Sequence, residues 1–128
     1  CIGVGCWGII TNDAHDVLLI KKKDKDYWER PGGKVMIGET LPDALRREIK
    51  EETDIDVAIV DFVSFDELFY GDDNDHWIAF CFHAKHISGI PRIVEPDIHE
   101  DVQWFSFSAL PLNISPYTKK VIAEYLAS

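Results

Sequence analysis

The stretch Gly33-Lys-Val-Met-Ile-Gly-Glu39-Thr-Leu-Pro-Asp-Ala-Leu-Arg-Arg47-Glu48-Ile-Lys-Glu51-Glu52-Thr-Asp54-Ile55 decides the fold of this chain. Its second half is helical by pattern. Leu41, Ala44, Leu45 and Ile49 recur at helix spacing. Thr40 with Asp43 precedes the run, resembling a capping box with Asp in place of Glu. The pattern predicts a helix over Leu41 to Thr53.

On a wheel of about 100° per residue with Leu41 at the origin, Leu45 falls at about 40° and Ile49 at about 80°, facing the core. Glu48 falls at about −20° and Glu52 at about 20°, on or beside that apolar stripe. Glu51, at about −80°, sits on its shoulder, while Arg46 and Lys50 lie on the solvated side. Like charges one turn apart repel, and a part-buried carboxylate is costly without a partner. Glu51 has Arg47 one turn back, but Glu48 and Glu52 have no basic partner within the helix. The alternatives are an ordinary solvated acidic face or a divalent cation. Three oxygen donors on one helical edge suit a hard ion, Mg²⁺ or Mn²⁺, which takes substrate phosphates as further ligands.

From Gly33 the defined residues fall as Gly, five residues, Glu39, seven residues, Arg47-Glu48-Ile49, Lys50, Glu51-Glu52, Thr53, Asp54, Ile55. This resembles the Nudix box, G-x5-E-x7-R-E-U-x-E-E-x-G-U with U aliphatic. Every defined position matches except the last Gly, which is Asp54. Pro31-Gly32 ahead of the box is similar to the Pro-Gly-Gly that opens it in the family. The resemblance implies an α+β Nudix fold, a mixed sheet sandwiched between α-helices, with the box as loop-helix-loop. It implies hydrolysis of a nucleoside diphosphate linked to another group. By position Glu48, Glu51 and Glu52 are the implied metal ligands, with the Gly32 carbonyl as a further oxygen. Arg47 is implied to orient the carboxylates through charge-assisted hydrogen bonds, and Glu39 to be an accessory or second-metal carboxylate. The general base differs between members of the family. Glu48, Glu51, Glu52 and, later in the chain, Glu100 are its candidates. At Asp54 the family Gly ends the helix in a left-handed conformation, which Asp tolerates less well than Gly.

The substrate is less legible. The marks of ADP-ribose, dinucleoside polyphosphate, coenzyme A and NADH hydrolases are not seen. What remains resembles MutT-like nucleoside triphosphate pyrophosphohydrolases. Other nucleoside diphosphate derivatives, or a non-catalytic nucleotide-binding module, are the alternatives. The module is disfavoured because all four box glutamates are present. Trp28, Phe69, Trp77 and Trp104 are candidate base platforms, with Trp77 preferred. Asn113 falls about where MutT-like enzymes place a purine-reading Asn. Arg30 is a candidate for a phosphate or a base edge, and Lys22, in the Lys21-Lys22-Lys23 run, for steering a polyphosphate.

Outward from the box, Ile2 to Ile10 and Val17 to Ile20 read as a hairpin and Lys21 to Asp26 as a charged loop. Ile55 to Leu68, Trp77 to Ile87 and Val102 to Phe105 read as strands, with a turn over Gly71 to Asp75. Pro116 to Leu126 reads as a C-terminal helix. The 128 residues fit one domain. The net charge of −10 argues against binding to a nucleic-acid backbone or an anionic membrane. The three cysteines show no ligand or disulfide spacing, so a reducing, cytoplasmic setting is expected. No signal peptide is read at Cys1. The chain opens without Met, so a few preceding residues are expected. A small-molecule nucleotide is the expected partner, and a monomer or homodimer the expected state.

Overall fold

In the computed structural model, which describes residues 2–70 and 75–128, the chain runs β1 (Ile2–Thr11), β2 (Asp16–Lys22), β3 (Trp28–Glu29), β4 (Gly32–Lys34), α1 (Leu41–Thr53), β5 (Asp56–Tyr70), β6 (Asp75–Ser88), β7 (His99–Ser106) and α2 (Pro116–Ala127). The turn expected over Gly71 to Asp75 lies mostly outside the described residues. The Lys21–Asp26 loop is shorter than expected, because β2 extends through Lys22. The last strand is longer than expected, starting at His99 because β7 pairs with the whole of β2.

The strands form one mixed sheet in the order β3-β2-β1-β6-β5, with β4 added beside β1 and β7 beside β2. The β1–β2 hairpin pairs Thr11 with Val17, whereas β1 runs parallel to β6 from Ile2 opposite His76 to Thr11 opposite Lys85. Alternate residues of a strand point to opposite faces, and both faces of the sheet's centre are apolar. Cys6, Ile10 and Leu18 pack with Leu45 and Ile49 of α1. Ile9, Val17 and Leu19 pack with Val121 and Ile122 of α2. The sheet therefore lies between two helices, and the expected α+β sandwich is what forms.

Helix α1 has the predicted bounds. The Thr40 side chain accepts from the Asp43 amide at 3.2 Å. The box is not reciprocal, because the Asp43 carboxylate turns to Arg46. At the other end Asp54 is left-handed, with φ 60° and ψ 31°. Arg92 Nε donates to Asp54 Oδ2 at 2.9 Å, and the Arg92 amide donates to Thr53 O at 3.1 Å. The Asp in place of the family Gly is thus pinned by an arginine from the segment between β6 and β7.

Candidate active site

Arg47 is the hub of the box. Its Nε donates to Glu39 Oε2 at 2.7 Å and its Nη2 to Glu39 Oε1 at 2.8 Å, a two-point grip on one carboxylate. Nη1 donates to Glu48 Oε1 at 2.9 Å and to Glu51 Oε2 at 3.2 Å, and Nη2 donates to Lys34 O at 2.9 Å. One side chain therefore ties the loop, the helix and β4 together. Glu39 also accepts from the Met36 amide. The Arg47 hydrogen bonds, aided by that amide, hold the Glu39 carboxyl down to about 2. Glu48 is not without a basic partner, as the wheel had implied. Its neighbour Arg47 reaches around the helix to it, which sequence spacing by thirds and fourths does not register.

Glu48 and Glu52 occupy the face that the wheel assigned to them. The Glu48 carboxylate lies against Gly33, so closely that a Cβ there would stand 2.5 Å from Oε2. A side chain at Gly33 would displace the Glu48 carboxylate from this position. Burial pushes the Glu48 carboxyl up, against the pull of Arg47. Glu52 is 9% exposed, whereas the Glu51 side chain is 54% exposed. The Gly32 amide donates to Glu52 Oε1 at 2.9 Å. That single bond does not offset burial, and the carboxyl is pushed up to about 8. Gly32 has φ 149°, and a Cβ there would meet Cys6 O at 2.2 Å, so no other residue presents its amide in this way.

His99, not singled out by the sequence, sits beside this pair. Its Nε2 is 3.6 Å from Glu52 Oε2, and neither ring nitrogen has a hydrogen-bond partner among the described residues. Burial pushes the His99 pKa down. A carboxyl that favours its proton beside a neutral imidazole is what a buried acid adopts when no cation compensates it. The donor chemistry fits a hard divalent ion: carboxylates on one helical edge, two of them poorly compensated. Among the described residues no three acidic, His or Cys side chains converge tightly enough to hold an ion as they stand. Arg47 holds Glu48 and Glu51, so a cation would compete with the guanidinium for them.

The remaining candidates divide. Lys22 and Trp77 line one cleft of about 340 Å³ with Trp7, Lys25, Tyr27, Glu29, Gly33, Lys34 and Asp75. Arg30 lines a neighbouring cleft with Trp7, Tyr27, Ser115 and Tyr117. It is buried, its Nη1 donates to Thr118 Oγ1 at 3.2 Å, and its guanidinium stands 5.4 Å from the Trp7 ring centroid. No hydrogen bond or ion pair among the described residues joins Glu100 to the box glutamates. It is the unpaired residue of an irregularity in β7, and its Oε1 accepts from Lys21 Nζ at 2.8 Å. His99, one residue earlier, is the group that turns toward Glu52. Asn113 braces the chain: its Nδ2 donates to Asp26 O at 3.3 Å and its backbone carbonyl accepts from the Trp28 amide. Trp28 is core, edge-on to Phe105, and Trp104 packs on the α1-side core. Phe69 stacks on His76. Trp7 was missed by sequence reading, where it stands as one apolar residue in an apolar strand.

Comparison with known proteins agrees with this fold. The NUDIX domain family matches residues 2–125. A putative 8-oxo-dGTP diphosphatase of Bacillus subtilis is 30% identical over 121 residues, 94% of this chain and 78% of that protein. The crystal structure of a MutT NUDIX hydrolase from Burkholderia pseudomallei superposes with a TM-score of 0.87 at 34% identity, covering 97% of this chain and 98% of that one. Some relatives are longer: human 8-oxo-dGDP phosphatase NUDT18 is 29% identical over 108 residues, 80% of this chain but 32% of that protein.

Proposed function

We propose, from the premise that this chain belongs to the NUDIX family and is a pyrophosphohydrolase of nucleotide derivatives, that it cuts a nucleoside triphosphate to a nucleoside monophosphate and pyrophosphate with Mg²⁺. One observation carries the triphosphate reading. In a chain of net charge −10, Lys22, Lys25 and Lys34 all line a single cleft, and that cleft is floored at Gly33, the residue on which the Glu48 carboxylate lies. A polyphosphate suits three lysines in a cleft whose acidic lining residues are Glu29 and Asp75, with the box carboxylates beside Gly33. The relative from Bacillus subtilis, named for a deoxynucleoside triphosphate, supports the same class.

Glu48, Glu51 and Glu52 would hold the ion. When bound, Mg²⁺ neutralises phosphate oxygens and stabilises the leaving pyrophosphate. The protein's own groups do the rest. Lys22, Lys25 and Lys34 orient the phosphate chain. Arg47 ties Glu39 of the loop to Glu48 and Glu51 of α1, and the last two would turn from the guanidinium to take the ion. A box carboxylate takes the proton of the attacking water.

The test is a panel of nucleoside triphosphates, nucleotide sugars, ADP-ribose and dinucleoside polyphosphates with Mg²⁺, scoring pyrophosphate against phosphate. Pyrophosphate and monophosphate in equal amounts from a triphosphate support the reading. Turnover only of the other substrates, or release of single phosphates, overturns it.

A further inference from the structure

A register slip at the start of β7 decides which side chain meets Glu52. Val102 and Trp104 pack on the α1-side core, and they pair with Ile20 and Leu18 of β2. Side chains alternate along a strand, so an unbroken β7 would bring Glu100 next onto that side. The ladder is broken there instead. Asp101 pairs with Lys21 and His99 with Lys22, and Glu100 between them has no partner. One extra residue shifts the phase by one. His99 takes the place in line with Val102 and Trp104, while the Glu100 carboxylate goes to Lys21. The backbone is fixed in this arrangement. The His99 and Ile98 amides donate to Glu95 O at 2.9 and 3.0 Å, and the Lys23 amide donates to Ile98 O at 2.8 Å. A bulge of this kind re-aims a side chain, and such bulges gather beside active sites.

The side chain it aims is an imidazole only 3% exposed, whose two ring nitrogens have no hydrogen-bond partner among the described residues. Polar atoms so deeply buried are nearly always paired, and two on one ring call for a reason. Packing is not that reason, since an apolar side chain would fill the place without the cost of desolvating two nitrogens. Nε2 stands 3.6 Å from Glu52 Oε2, just beyond hydrogen-bond reach. The other oxygen, Oε1, already accepts from the Gly32 amide at 2.9 Å. A small turn of the carboxylate about that bond closes the remaining gap. We propose that His99 is a positioning residue: its Nε2–H is the second donor to Glu52, and with the Gly32 amide it brackets the carboxylate and fixes its plane for the ion. This rests on the reading of Glu52 as an ion ligand. A carboxylate offers about four lone-pair sites, so two donors leave it free to coordinate. His99 acts through Glu52 and has no need to touch the nucleotide.

The experiment measures Mn²⁺ binding without nucleotide, from loss of the free-ion electron paramagnetic signal, with thermal melting as the check on folding. His99→Leu removes the donor, His99→Gln carries an amide N–H to the place of Nε2, and His99→Asn stops short of it. His99→Leu and His99→Asn are expected to weaken Mn²⁺ binding about tenfold to a hundredfold, the range for an outer-shell partner, and His99→Gln to recover most of that loss. On a Glu52→Gln background, His99→Leu adds little further loss, because the two act as one unit. Wild-type binding in folded His99→Leu overturns the role. Equal binding by the Gln and Asn variants also overturns it, since that would mark packing and not a donor, and this comparison decides alone if His99→Leu does not fold. So does an undiminished effect of His99→Leu on the Glu52→Gln background. Unchanged binding in Glu52→Gln strikes the ligand reading and the positioning role together. Weakened binding in Glu52→Gln with normal binding in His99→Leu strikes the positioning role only.

Discussion

The Gly32 amide donates to Glu52 Oε1 at 2.9 Å, and it is the only hydrogen bond found for that carboxyl among the described residues. Burial wins over this bond, which places the group's folded value at about 8 against an ordinary 4.5. The sign follows from linkage. A carboxyl raised on folding contributes stability that is complete below its unfolded value and is lost as pH rises through its folded value. Buried His99 is shifted the other way, so it works in the opposite sense below its ordinary 6.5. The Glu52 contribution is therefore lost between about pH 4.5 and about pH 8, and its last part, above about pH 6.5, is free of His99. Without divalent ions, Tm should fall across this window, by about 3 °C or more relative to Glu52→Gln. Mg²⁺ should raise the wild-type Tm at the alkaline end by binding the ionised form. Parallel melting curves for wild type and variant, with and without the ion, check this.

Glu52→Gln should also separate fold from chemistry. It keeps the acceptor for Gly32 and removes the charge. Turnover is expected to fall by about a hundredfold or more, with an unchanged circular dichroism spectrum. Near-normal turnover would remove Glu52 from the ligand set.

Glu100→Gln should do little. Its carboxylate is engaged with Lys21, and it is His99 that meets Glu52. A general base contributes about a hundredfold to ten-thousandfold. A kcat within about threefold of wild type is expected, and a loss on the scale of a general base would restore Glu100 as the proton acceptor.

Arg47→Lys tests the hub. Lysine keeps the charge but lacks the planar fork that grips Glu39 at two points while reaching Glu48, Glu51 and Lys34. The Mg²⁺ concentration for half-maximal activity should rise about tenfold to a hundredfold, the range for losing an outer-shell partner. A metal titration of initial rate measures it.

At the end of α1, Asp54→Gly and Asp54→Ala should differ. Both lose Arg92, but Gly accepts the left-handed conformation and Ala does not. Thermal unfolding should rank Gly above Ala, with Gly within about 5 °C of wild type. The reverse order would show that the left-handed backbone at residue 54 does not govern the cap.

Helix α1 and its two uneasy glutamates were readable because helical periodicity is local: one angle per residue places Glu48 and Glu52 on the apolar stripe whatever the rest of the chain does. The strands were readable from their β-branched and aromatic runs, and the family from the spacing of Gly33, Glu39 and Arg47 to Glu52. Partners drawn from distant strands were not. The Gly32 amide reaches Glu52 because β4 pairs with β1, His99 reaches it because β7 pairs with β2, and Trp77 lies over Gly3 because β6 runs parallel to β1 in one particular register. By itself the sequence determined which residues hold negative charge against an apolar face. Only the tertiary structure decided what compensates them and what the cleft beside them is made of, because register between distant strands is set by packing of the whole sheet between its two helices and leaves no period in the chain.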